Sequence, residues 1–187
     1  MAVYKLFPSQ DASIYSAYPA MNTGLDPILD VNNKVTDINP IAQVARSLVK
    51  FDQSQINDVI DNIAKVTGSW NSFSGSLKLN VSKATNVILE SNIEVYPISG
   101  SWNNGSGQYL DKPSNTTGVS WVYSDYSGSN KWSTGGWNPL ITASFSGSNN
   151  AGGGVWYTGS GGYEGIGPLE FTQSFNLRSD KDLNVNV

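Results

Sequence analysis

The chain has 187 residues, a net charge of −4 and only 14% charged side chains. It has no cysteine and no histidine. That composition excludes disulfides, thiolate metal sites and the commonest general base and zinc ligand. No basic run is present, so nucleic acid is not an expected partner. No apolar run approaches the ~20 residues that span a bilayer, so membrane attachment is not expected either.

Taken in chain order, Val3–Phe7 alternates and stops at Pro8, which predicts a strand. Ser13–Tyr18 is rich in β-formers and ends at Pro19. Asn22-Thr23-Gly24 predicts a turn, and Pro27–Val31 is a short apolar run after it. Val44–Phe51 reads VARSLVKF, a strand with Arg46 and Lys50 at polar positions. Ile56, Val59, Ile60 and Ile63 then recur at i, i+3, i+4 and i+7, predicting one short helix over about 53–64. Asp52 is its expected cap, in a capping-box-like pair with Gln55. Ser76–Ser82 and Ile93–Ile98 alternate again, as half-buried strands do.

The texture changes at residue 100. Residues 100–167 hold 16 of the 19 glycines and five of the six tryptophans. Flexible linkers lack aromatics, so this stretch reads as elaborated loops and short strands held to the fold by those rings. Short β-prone pieces lie at Val119–Tyr123, Leu140–Phe145 and Gly154–Thr158, and Leu169–Leu177 and Asp182–Val187 predict two closing strands. The N-terminus has no charged segment followed by an apolar core, so use without Sec export is expected.

Several segments resemble the DNRLRE-type β-sandwich family. They are DASIYSAYPAMNTGLDPILDV at 11–31, RSLVKFDQSQI at 46–56, SLKLNV at 76–81 and IEVYPISGSW at 93–102, in matching order and approximate spacing. The opening, MAVYKLFPSQDASIYSAYPAMNTGLDP, is similar in style to virion structural proteins of marine cyanobacterial myoviruses. These resemblances imply an all-β sandwich of jelly-roll type; the length suits one domain over 1–187, and the short helix at 53–64 and the Gly/Trp-rich stretch at 103–167, read as an insertion, depart from the family's pattern. The family's usual continuation past a segment such as DLNVNV implies a chain cut short at its C-terminus. They also imply a non-enzymatic virion protein: a capsid decoration, neck or tail-associated component, present in many copies or as a homo-oligomer and docking on other virion subunits. The alternative is a carbohydrate-binding adhesion module that contacts host surface polysaccharide.

The candidate contact residues are Trp121, Trp132, Trp137, Trp156, Tyr126 and Tyr157. Aromatic rings have three available roles there: packing the loops, filling a subunit interface, or stacking on the apolar C–H face of a sugar. Trp102 matches a packed position of the resembled family. Asp111, Asp125 and Glu164 are the only acids among these aromatics, and their spacing does not follow the paired-carboxylate pattern of glycosidases. No cofactor is expected; a structural calcium ion at Asp11 and Asp30 is the one metal considered, and no DxDxDG loop supports it.

Overall fold

The computed structural model describes residues 3–34, 43–68, 74–84, 91–98, 100–132, 153–154, 171–176 and 182–187. Every ladder between described strands is antiparallel and one helix interrupts them, so the chain has the all-β sandwich character expected of it. Chain contacts group the residues into two compact units: 1–56 with 98–156, and 57–97 with 157–187. The described residues of the stretch read as an insertion thus cluster with the N-terminal residues.

In the first unit, β1 (Gln10–Tyr15), β2 (Asn32–Lys34) and β3 (Gln43–Lys50) form a sheet in the order β1-β3-β2. Alternation gives this sheet two different faces. Ala12, Ile14 and Leu48 point to one side and are almost completely buried, with Val44 beside them. They pack with Trp102, Val119, Trp121 and Trp132 into the main core. Arg46 lies on this same face, between Val44 and Leu48. Its guanidinium covers the Trp121 ring at 5.0 Å, and its Nη1 donates to Gly153 O at 2.6 Å. Gly153 N in turn donates to Trp121 O at 2.6 Å. One arginine therefore ties the distant residue 153 to the core.

The sheet's second face carries Ser13, Tyr15, Ala45 and Ser47, and the 22–31 segment covers it. Thr23 Oγ1 accepts from Ser13 N and donates to Ser13 O, mimicking a strand partner. Small β6 (Tyr123–Asp125) and β7 (Asn130–Lys131) complete the unit with an irregular ladder.

Val3–Phe7 is not a strand: Val3 and Phe7 are each 77% exposed. The register explains this. Gln10 pairs with Lys50, the last residue of β3, and Ser9 N bonds Lys50 O. Beyond that point the partner chain turns into helix, so residues 3–7 have alternation without a ladder to join.

The helix, α1, runs Gln53–Thr67, three residues further than its periodicity predicts. Asp52 caps it: its Oδ1 accepts from Ser54 N at 2.7 Å and from Ser54 Oγ at 2.6 Å, and the Gln55 amide adds to them. The Ser54 hydroxyl and amide, in that order, hold the Asp52 carboxyl below its ordinary value. Gly68, at φ 68°, ends the helix with its N–H on Ala64 O. Ile56, Val59, Ile60 and Ile63 are its half-buried face, as the spacing predicts.

The second unit pairs β4 (Ser76–Asn80) with β9 (Asp182–Asn186), and β5 (Ser91–Val95) with β8 (Phe171–Phe175). Leu77 and Leu79 lie opposite Val185 and Leu183, both of which are buried. Leu140–Phe145 and Val155–Thr158 lie outside the described residues.

Candidate functional site

The aromatic residues divide sharply by exposure. Trp102, Trp121 and Trp132 are 6%, 3% and 3% exposed. Trp132 Nε1 also donates to Ser120 O at 3.0 Å, so even its polar edge is committed. Burial leaves Trp121 and Trp132 packing the loops, the first of the three roles weighed for them, and gives neither ring a face to offer a ligand. Of the other candidates, Trp137, Trp156 and Tyr157 lie outside the described residues. Tyr126 is half-buried and stands edge-on to Tyr123 at 4.2 Å, with Lys131 Nζ 5.9 Å above the Tyr123 ring.

The more open cluster was not singled out from the sequence. Tyr15, Tyr18 and Tyr109 meet at the surface of the first unit. The Tyr15 and Tyr109 centroids are 5.2 Å apart with a tilt of 58°, and Tyr18 and Tyr109 are 6.0 Å apart and nearly perpendicular. Tyr18 is 41% exposed and Tyr109 46%. Each ring arrives from a different piece of chain. Tyr15 ends β1 on the sheet's second face. A tight turn, Tyr18 N to Tyr15 O at 3.1 Å, brings Tyr18 back beside it. Tyr109 comes from a loop some ninety residues away.

That loop is docked by a buried asparagine. Asn22 Nδ2 donates to Asn104 O at 2.6 Å and to Val119 O at 2.7 Å. Its Oδ1 accepts from Gly24 N and Gly107 N. Leu25 N to Gly107 O and Asn104 Nδ2 to Gly24 O close the seam. Gly118, at φ 76°, presses against the Gly105 backbone, where any side chain would collide. At the tip, Asp111 accepts from Gln108 N at 2.7 Å, and Leu110 takes a left-handed φ of 56°. Tyr109 is thus presented from a pinned turn.

Two carboxylates flank the rings. Tyr15 Oη donates to Asp30 Oδ2 at 2.8 Å, and Asp26 Oδ1 accepts from Tyr109 N at 3.1 Å. Burial first, then the Asp30 hydrogen bond and charge, pushes the Tyr15 phenol well above its ordinary value. Burial, then the neighbouring Tyr18, raises Tyr109 as well. The cluster therefore keeps neutral phenols beside ionisable carboxylates. Part-exposed rings beside hydroxyls and carboxylates suit a ligand that is apolar on one face and hydroxylated at its edge.

Asp30 therefore sits in this cluster, while Asp11 is half-buried on β1 opposite Val49. Among the described residues no group of three or more His, Cys, Asp or Glu side chains gathers as metal ligands do.

No curated protein and no solved structure matches the chain. A family model does match, over residues 2–155: carbohydrate-binding module family 96. The matched stretch holds all three tyrosines and both flanking carboxylates. It favours the polysaccharide-binding alternative over the virion role expected first. Spanning most of its length, the match assigns the chain to a family: it belongs to carbohydrate-binding module family 96.

Proposed function

We propose that this chain binds polysaccharide at the Tyr15–Tyr18–Tyr109 cluster. The observation that carries this reading is the combination of half-exposed tyrosines with Asp26 and Asp30 at their edge, in a chain of a carbohydrate-binding family. A pyranose ring lays its C–H face on a tyrosine ring, and its equatorial hydroxyls reach the carboxylates around it. Tyrosine suits this contact because it carries a large apolar area with few rotatable bonds. The loop and strand that hold the rings are already bonded in place, so little ordering remains for binding to oppose.

The test is calorimetric titration of the protein with a soluble mixed-linkage β-glucan, a galactomannan and polygalacturonate. The wild type is expected to bind at least one of them. Tyr109→Ala, which removes the central ring without touching the core, is expected to weaken that binding by about tenfold or more. Wild-type affinity in Tyr109→Ala would move the site elsewhere.

A further inference from the structure

The loop that presents Tyr109 ends in a tight turn, with Asp111 N on Gln108 O at 3.2 Å. Leu110 is the third residue of that turn and takes a φ of 56°, a conformation that suits glycine and strains a residue with a side chain. Added bonds must therefore hold the turn in shape. Four successive amides do so. Gln108 N donates to Asp111 Oδ2 at 2.7 Å, Tyr109 N to Asp26 Oδ1 at 3.1 Å, and Asp111 N to the Gln108 carbonyl. The fourth, Leu110 N, donates to Met21 Sδ at 3.4 Å. Three of these acceptors are oxygens. The other is a thioether sulfur, the weakest acceptor of the four and the one that peroxide alters. Met21 is also fixed from behind: its N–H donates to Tyr18 O at 3.0 Å, and the next residue is the buried Asn22. It thus joins Tyr18 through its backbone to the Tyr109 turn through its side chain. Met21 is only half-buried, which leaves it open in part to a small oxidant.

We infer that Met21 is a modification site and an oxidation-sensitive latch for Tyr109, at which hydrogen peroxide converts the thioether to a sulfoxide and releases the turn. In that step a sulfur lone pair bonds to one peroxide oxygen, the O–O bond breaks, and the other oxygen leaves as water. Sulfur is oxidised and peroxide reduced, with no further reactant. The product is polar and chiral where the thioether was flexible and apolar. An N–H···O bond alone takes about 2.9 Å. An oxygen therefore cannot stand between Met21 Sδ and Leu110 N, now 3.4 Å apart, without driving them apart. The Met21 backbone is tied to Tyr18 and Asn22, whereas Tyr109 and Leu110 lie at the surface, 46% and 50% exposed. The displacement falls on the turn, and it carries Tyr109 away from Tyr15 and Tyr18. A methionine sulfoxide reductase restores the thioether and with it the latch. The effect on binding rests on the reading that the tyrosine cluster holds polysaccharide; the movement of the turn does not.

The experiment uses the whole chain, as wild type and as Met21→Leu, before and after dilute hydrogen peroxide. The chain has two methionines, so peptide mapping separates Met21 from Met1. Met21 is expected to gain one oxygen. Amide exchange at residues 108–111 should then accelerate by about threefold or more, while β1 and β3 keep their protection. Treatment with a methionine sulfoxide reductase should reverse the change. Met21→Leu, which keeps the apolar bulk without the sulfur, should show no response to peroxide. Titration with the mixed-linkage β-glucan, the galactomannan and polygalacturonate should show a loss of about threefold or more for each polymer that the untreated chain binds. Three results overturn the latch. One is Met21 left intact by peroxide that fully oxidises a short methionine peptide. Another is full oxidation of Met21 with unchanged exchange at 108–111. The third is an equal response in Met21→Leu. Faster exchange after oxidation with unchanged affinity upholds the latch and overturns the tyrosine cluster as the binding site, so the two readings fail separately.

Discussion

Asn22 is only 1% exposed, and apart from the bond to Gly24 N its side chain joins segments distant in sequence. Replacing it with alanine leaves Asn104 O, Val119 O and Gly107 N to find new partners in a place water does not reach. Unsatisfied buried groups are costly, and several in one site compound. Asn22→Ala should therefore lower the stability of the first unit by about 2–4 kcal/mol. Urea denaturation followed by tryptophan fluorescence reads this directly, since Trp102, Trp121 and Trp132 lie in that unit's core; a loss under about 0.5 kcal/mol would mean water replaces the side chain. Residue type identified Asn22-Thr23-Gly24 as a turn, but not as a buried hub, because its partners lie some eighty residues on. The same distance hid the binding cluster: Tyr15 and Tyr18 are close in sequence, but nothing local predicts that Tyr109 joins them. The tryptophans gave a clear compositional signal whose meaning was ambiguous. A ring that stacks on a sugar and a ring that fills a core have the same sequence signature until burial separates them.

Elements were more legible than sites, because their signals are local. Alternation located β3, β4 and β5, and the i, i+3, i+4, i+7 spacing named the half-buried face of α1. It misplaced a strand at Val3–Phe7, because alternation describes a face and says nothing of whether a partner strand lies alongside. Helix capping was largely legible: Asp52 is the cap and the Gln55 amide is among the groups on its carboxyl, while Ser54, its main partner, follows from side-chain geometry rather than from the capping-box spacing. That cap makes a pH prediction. The Asp52 carboxyl is held below its ordinary value, so its contribution is present above the unfolded carboxylate range and lost as pH falls through the lowered folded one. Amide exchange at residues 54–56 should accelerate on acidification in the wild type beyond the intrinsic pH effect. Asp52→Asn, which has no carboxyl to titrate, should lack that excess. Identical pH profiles would show that the cap does not hold the first turn.

At the scale of the whole molecule, the two units draw on the chain differently. The ladders of the first unit, with Arg46, Trp121 and the tyrosine cluster, use residues within the family match. The second unit pairs β4 and β5, inside the match, with β9 and β8, outside it. The main core cluster contains only residues of the first unit. Binding and the folding of the second unit should therefore separate. Val185 is fully buried and lies opposite Leu77. Val185→Asp places a charge where the β4–β9 pair buries its apolar face, a change expected to remove several kcal/mol from that unit. Hydrogen exchange should then show lost protection at 76–80 and 182–186, while β1 and β3 keep theirs, as local unfolding within one unit requires. Polysaccharide affinity should stay within about twofold of wild type, because no residue of the tyrosine cluster belongs to the second unit. Loss of protection in β1 and β3 together with loss of affinity would instead mean that the chain unfolds as one cooperative body and that the binding cluster depends on all of it.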